Sequence, residues 1–315
     1  MSRPGDPAAF PVEGLVVLDK PEGLSSAQAT ARVRRLFGAR KAGHTGTLDP
    51  AARGVLVCCL GRATRLASAL LARPKTYEAV LTLGVETDTQ DAAGRVVAER
   101  PVPELSPEAL EEVFSRFTGE ILQAPPAYSA LKHEGLPLYA HARRGRMIRK
   151  PPRPVVVYAL ALRGIEPPRV RFAVRCSAGT YVRTLAADIG AALGCGGHLS
   201  GLVRTECAGF RLEEACGLAD LENRFRQGED LRPRLIPLER ALRGVPGTAV
   251  ADDLAERIRQ GRPLARSELG PAAPQGAGLL QILDRRGTLL ALVEASPGSA
   301  RLIYRAVFAG PGPAP

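Results

Sequence analysis

The chain has 315 residues, room for one large domain and a smaller one, and its 45% hydrophobic and 24% charged content is that of an ordinary globular protein. No apolar run approaches the roughly 20 residues of a membrane span, and the opening MSRPGDPAAF lacks the apolar region of a secretory signal, so a cytoplasmic protein without membrane attachment is expected. A net charge of +11 and a pI near 9.8 point to a polyanionic partner or to a compositional arginine bias, because Lys20, Lys41, Lys75, Lys132 and Lys150 are the only lysines among 43 cations.

In chain order, Leu15 to Leu18 reads as a buried strand stopped by Lys20-Pro21. A helix follows, capped by Ser25 or Ser26, with Val33, Leu36 and Phe37 on one face and Gly38 as its stop. The loop GHTGTLDP leads into the apolar run GVLVCCLG, suited to a strand covered on both faces. Tyr77 to Val85 alternates with period two, and TDTQDAAG then turns toward Val96 and Val97, which predicts a hairpin. Asp88 and Asp91 are explained by satisfying that turn's backbone.

Ser106-Pro107 opens a helix with Leu110, Val113, Phe114 and Phe117 inward, closed by Gly119. Val155 to Leu162 and Val170 to Cys176 are further strands, the second with arginines on its other face. SAGTYVRTLAADIGAALG predicts a helix with Thr180 as N-cap and Gly194 as stop. Arg183 then falls at the third helical position, against the positive end of the helix dipole. Either a nearby carboxylate offsets it or it is exposed. After residue 218 the chain is arginine-rich and helical, and RGVPGTAV reads as a linker. Beyond it come a short helix around Leu254 and Ile258, a flexible GPAAPQGAG, a hairpin turning at Arg286-Gly287 and a last strand RLIYRAVF, a module small enough to lean on the first domain.

The six cysteines show no C-x-x-C spacing and the four histidines no ligand spacing, so no metal site is expected and the thiols read as reduced, small hydrophobes. From Lys132 to Arg153 seven cations face one acid, Glu134, with Tyr139, His133 and His141 interleaved. This is either a clamp on RNA backbone and bases or a solvated surface excursion. Asp49, forced out of helical backbone by Pro50, is either a turn residue or a carboxylate held forward beside His44 for covalent or proton-transfer chemistry, with Arg183 a cation able to keep it ionised.

The motifs LDKPEGLSS, ARKAGHTGTLDP, LGRATR, KTYEAVLTLGVETDTQDAAG, PPAYSALK, CSAGTYVRTLAADIG and GGHLSGLVRT, in this order over residues 14 to 210, strongly resemble the TruB family of bacterial tRNA pseudouridine 55 synthases. The resemblance implies an α+β fold, with a mixed, mostly antiparallel central sheet and flanking helices. It also implies a catalytic domain over 14–246 after a flexible 1–13, an RNA-binding insertion near 124–154, and a small β-rich, PUA-like domain over 247–315. It gives Asp49 the role of essential aspartate, Tyr77 that of the ring stacking on the flipped uracil, and Arg183 that of the partner of the aspartate. His44, Lys20, Tyr181 and Leu202 become substrate-binding residues, joined by Lys132, Arg143, Arg144 and Arg149 of the basic stretch. The implied enzyme isomerises uridine in the T arm of tRNA, as a monomer, with no cofactor, metal or obligate protein partner. The same cleft could instead serve an RNA-folding protein or a guide-dependent relative. Ala178 and Val203 depart from the family pattern, where lysine and a second arginine are common.

Overall fold

The computed structural model describes residues 12–274 and 276–308, so the expected flexible N-terminus lies outside the described residues apart from Val12 and Glu13. Strand β1 (Gly14–Lys20) is followed by helix α1 (Ser26–Leu36), which Ser25 caps by accepting from the Gln28 amide while the Gln28 side chain accepts from the Ser25 amide. The glycine-rich loop begins as a short strand, β2 (Ala42–His44), and leads into β3 (Arg53–Leu60). A short helix, α2 (Ala67–Leu71), precedes β4 (Lys75–Leu83), whose alternate residues Tyr77, Ala79, Leu81 and Leu83 are buried.

The expected hairpin forms only in part. Gly84, at φ 84°, breaks the chain after β4, and a Cβ there would meet Val102 and the Arg100 carbonyl. Only β5 (Val85–Thr87) pairs with β6 (Val96–Glu99). Helix α3 (Pro107–Arg116) starts at the Ser106 cap and leads to β7 (Gly119–Gln123). The basic stretch folds into a small hairpin, β8 (Lys132–His133) and β9 (Leu136–Pro137), and a one-turn helix, α4 (Leu138–Ala142). The long strands β10 (Arg153–Glu166) and β11 (Arg169–Cys176) return the chain to the sheet, and β11 buries Val170, Phe172 and Val174 while exposing Arg169, Arg171 and Arg175.

Helix α5 (Val182–Ala192) starts one residue later than expected of a Thr180 cap. Tyr181 is the N-cap residue, and its own side chain caps nothing. The cap comes instead from a distant side chain: Gln123, at the end of β7, accepts from the Tyr181 amide at 2.7 Å and donates to the Tyr181 carbonyl at 3.1 Å. Arg183 therefore occupies the second helical position. Strand β12 (Gly197–Cys207), which no periodicity announced, crosses the middle of the sheet and is followed by β13 (Phe210–Arg211), β14 (Cys216–Gly217) and α6 (Leu218–Arg226).

The central sheet runs β14-β1-β3-β12-β4-β11-β10-β7, with β2 added on β3 and β13 on β12. Its pairs are antiparallel except β1 with β14 and β3 with β12, the expected mixed, mostly antiparallel arrangement. Helices α3 and α5 cover one face through Leu110, Phe114, Leu185 and Ile189, with Phe114 edge-on to Phe172 at 5.9 Å between centroids. Helices α1 and α6 cover β1 and β3. A second sheet, built from β15 (Gly247–Ala249), β16 (Leu264–Ala265), β17 (Gly278–Leu283), β18 (Leu289–Ala295) and β19 (Arg301–Val307), packs around helix α7 (Asp252–Arg259) in the order β15-β17-β18-β19-β16. All six cysteines are free, and burial pushes the Cys58 and Cys59 thiols up to about 12.

Candidate active site

The loop from Gly43 to Pro50 is fixed from several sides. Its first residues pair with β3, His44 opposite Cys58. Ser26, in the first turn of α1, donates through Oγ to the Leu48 carbonyl at 2.9 Å and accepts from the Leu48 amide at 2.7 Å, pinning a residue that is itself buried. The Lys20 ammonium donates to the carbonyls of Pro21, Leu24 and Pro50 at 2.8, 2.7 and 3.4 Å. Between these two anchors stands Asp49.

Arg183 reaches Asp49 from α5, its Nε 2.9 Å from Oδ2. The guanidinium is buried, whereas 41% of the Asp49 side-chain surface stays open. The carboxylate is thus gripped on one side and accessible on the other. Arg183 is saturated: Nη1 donates to the Thr89 carbonyl at 3.0 Å and to Asp91 Oδ2 at 3.3 Å, and Nη2 to the Tyr128 carbonyl at 2.9 Å. One side chain therefore joins the aspartate loop, the 88–91 turn and the root of the basic insertion. The turn accounts for one oxygen of Asp91, which accepts from Thr89 Oγ1 and the Ala93 amide. Its other oxygen pairs with Arg183, so satisfying the turn backbone does not by itself account for Asp91.

Burial is the main force on Asp49 and pushes its pKa above the ordinary carboxylate value; Arg183 opposes the rise, Asp91 adds to it and Lys20 opposes it. Lys20 is fully buried, and desolvation brings its ammonium down to about 8 against the pull of Asp49. His44 is held below its usual pKa by burial and by Arg204, and its Nδ1 is buried without a partner among the described residues.

Tyr77 points inward from β4 and only 7% of it is open; burial pushes the phenol up to about 12. It lies in the same apolar cluster as Leu48 and Ala52, with Leu202 at its edge. Asp49, Arg183, Tyr77, Lys20, His44 and Leu202 thus gather around the loop. Tyr181 stands beside them under the Arg153 guanidinium, 5.7 Å from its ring centroid. Lys132, Arg143, Arg144 and Arg149 sit apart on the insertion, all exposed and, among the described residues, without a carboxylate partner; Arg143 lies over the Tyr139 ring at 5.5 Å.

Sequence reading missed Arg204, the largest fully buried side chain. Its motif, GLVRT, was visible, but an arginine in a strand carries no mark of burial. Among the described residues no three His, Cys, Asp or Glu side chains converge as a metal site would require. Two surface concavities, one around Pro233 to Arg243 and one around Leu83 to Val85 and Glu99 to Val102, include none of the residues above.

Residues 34–182 match the N-terminal domain of the TruB family pseudouridylate synthases, and residues 183–243 match the tRNA pseudouridylate synthase B C-terminal domain. The chain is 43% identical over 300 residues to the tRNA pseudouridine synthase B of Xanthomonas campestris pv. campestris (strain B100), covering 95% of both proteins. It is 46% identical over 289 residues to that of Burkholderia mallei (strain NCTC 10247), covering 91% of this chain and 94% of the relative. A solved Cbf5-Nop10-Gar1 complex contains a chain of the same fold, with a TM-score of 0.72, 29% identity, and coverage of 94% of this chain and 84% of that one. An H/ACA RNP bound to a substrate RNA containing 2′-deoxyuridine contains another, with a TM-score of 0.70, 27% identity, and coverage of 95% and 85%.

Proposed function

Because this chain belongs to the TruB family of pseudouridylate synthases, we propose that it isomerises uridine to pseudouridine in tRNA, at position 55 of the T loop, with Asp49 as nucleophile. The observation that carries the reading is the half-open Asp49 carboxylate held by the buried Arg183 guanidinium at 2.9 Å. A uracil stacked inside the folded elbow of a tRNA is out of reach of any side chain, so the nucleotide is first extruded. The ring of Tyr77 replaces part of its lost stacking. Asp49 then attacks the base or C1′, the bond from C1′ to N1 breaks, the base rotates, C1′ joins C5, the bond to Asp49 breaks and returns the free carboxylate, and the proton on C5 leaves as N1 regains one. Atoms and oxidation state are conserved, so the reaction itself calls for neither a redox partner nor a group donor.

Lys132, Arg143, Arg144 and Arg149 of the insertion hold the T arm. We assign the catalytic role to residues 14–246 and a supporting, PUA-like role to 247–315, with the chain acting in the cytoplasm as a monomer and without a protein partner. Incubation with an unmodified tRNA transcript, followed by carbodiimide labelling and primer extension, tests the reading. Wild type should give a stop reporting position 55, and Asp49→Asn should give none while binding tRNA with near-normal affinity. Tight binding with no stop from wild type would instead make this an RNA-folding protein.

A further inference from the structure

Arg204 is fully buried on β12, and no carboxylate pairs with it among the described residues. Burying a guanidinium unpaired is costly, and an apolar side chain of like size would pack there more easily. What the arginine supplies is its fork. Nε donates to the Val55 carbonyl at 2.7 Å and Nη2 to the Gly46 carbonyl at 3.0 Å. Those two carbonyls bracket Asp49 in sequence, Gly46 within its loop and Val55 on β3 just beyond it. Nη1 is buried with no hydrogen-bond partner, and the guanidinium lies beside the phenol of Tyr77, which is the cross-strand neighbour of Arg204 on β4.

The backbone of this residue leaves Gly54 no room for a side chain, and Gly46 lies in ordinary contact with its guanidinium. A Cβ on Gly46, at φ 126°, would stand 3.1 Å from Lys75 Cε and 3.6 Å from Arg204 Nη1. A Cβ on Gly54, at φ 104°, would stand 2.3 Å from the Arg204 carbonyl oxygen. The loop is therefore moulded on Arg204 from behind, as it is gripped by Arg183 from α5.

Resting on the proposed pseudouridine synthesis, we propose that Arg204 is a positioning residue that sets Asp49 and Tyr77 relative to one another, tying the aspartate loop to β3 through Gly46 and Val55 and standing beside Tyr77 as its cross-strand neighbour. It touches no substrate. The base meets Asp49 and the ring of Tyr77, and Arg204 acts through both.

The test is a mutant cycle in the full chain with Arg204→Lys, Arg204→Met, Tyr77→Phe and the double variants. Single-turnover rates on a tRNA transcript are read with enzyme in excess, alongside tRNA affinity and thermal unfolding. Arg204→Lys keeps the charge and loses the fork. Its affinity should match wild type while its rate falls about a hundredfold, the scale of a small misplacement of reacting groups. Adding Tyr77→Phe to either Arg204 variant should cost less than it does in wild type, because the two cross-strand neighbours act on one geometry and the tyrosine is already displaced. If Arg204→Met does not fold at the assay temperature, Arg204→Lys carries the same cycle. Variants that unfold at lower temperature but turn over at the wild-type rate when folded would overturn the proposal, and so would effects that multiply. An inactive wild type would overturn the proposed reaction itself, whereas an active wild type beside unaffected variants removes only the role of Arg204.

Discussion

Arg183 shows how far one residue can be read. A cation at the second position of α5 opposes the helix dipole by about 0.3 to 1 kcal/mol, and the structure offsets it with two carboxylates, Asp49 and Asp91. The sequence marks the opposition and hence asks for an acid, but Asp91 is hidden because the turn already explains it. We expect Asp91→Asn to slow single-turnover isomerisation about tenfold to a hundredfold, in line with the roughly 1.5 to 3 kcal/mol of a hydrogen bond to a charged group, with little change in tRNA affinity; a normal rate would return Asp91 to the turn alone. The raised pKa of Asp49 fixes the sign of the pH dependence. A nucleophilic carboxylate must be ionised, so the rate falls as pH drops toward that raised value, and the acid limb lies higher than an unperturbed aspartate would place it. Arg183→Met removes the charge that opposes the rise and should move the limb further up. A pH profile of single-turnover rates in both proteins checks this, and an acid limb unmoved by the substitution would disprove the coupling.

At the scale of elements, period and punctuation were enough for α1, α3, β10 and β11, where one face is apolar and the ends carry Ser, Pro or Gly signals. They failed where the stabilising partner is remote. Strand β12 has half-buried positions on both faces and register shifts at Ser200 and Thr205, so no alternation marks it. The start of α5 depends on the Gln123 side chain, 58 residues away, which no local pattern reveals. Pairing was the other blind spot, since β4 lies between β11 and β12 rather than in a hairpin. The basic stretch, by contrast, was legible because charge is not a matter of tertiary partners: Lys132, Arg143, Arg144 and Arg149 remain exposed without a carboxylate partner among the described residues. Replacing all four by alanine should flatten the plot of log affinity against log salt by about 3, since each phosphate left unneutralised removes roughly 0.7 to 0.9 from the slope. Binding measured across a salt series decides it, and an unchanged slope would remove the insertion from the RNA interface.

At the scale of the molecule, the two sheets share apolar packing. Leu289 and Leu292 of β18, Ala306 of β19 and Phe308 lie in one cluster with Val17, Val57, Leu66, Leu238 and Leu242. Polar contacts reinforce it: the Gln281 amide donates to the carbonyls of Leu242 and Val245 at 3.3 and 2.8 Å. The C-terminal residues thus supply part of the cover for β1 and β3, and β3 leads directly out of the Asp49 loop. Such coupling predicts one cooperative unfolding transition for the chain rather than two. Phe308 is 2% exposed, so Phe308→Ala should lower stability by about 3 to 5 kcal/mol, the usual cost of emptying a buried phenylalanine site. Because the cluster that holds this ring covers β1 and β3 on the side away from α1, the whole transition should move to lower temperature as a unit. Calorimetry on wild type and variant discriminates the cases. Two separable transitions, with only the smaller one shifted by Phe308→Ala, would mean that the C-terminal sheet folds by itself and that the shared cluster contributes little to holding the loop in place.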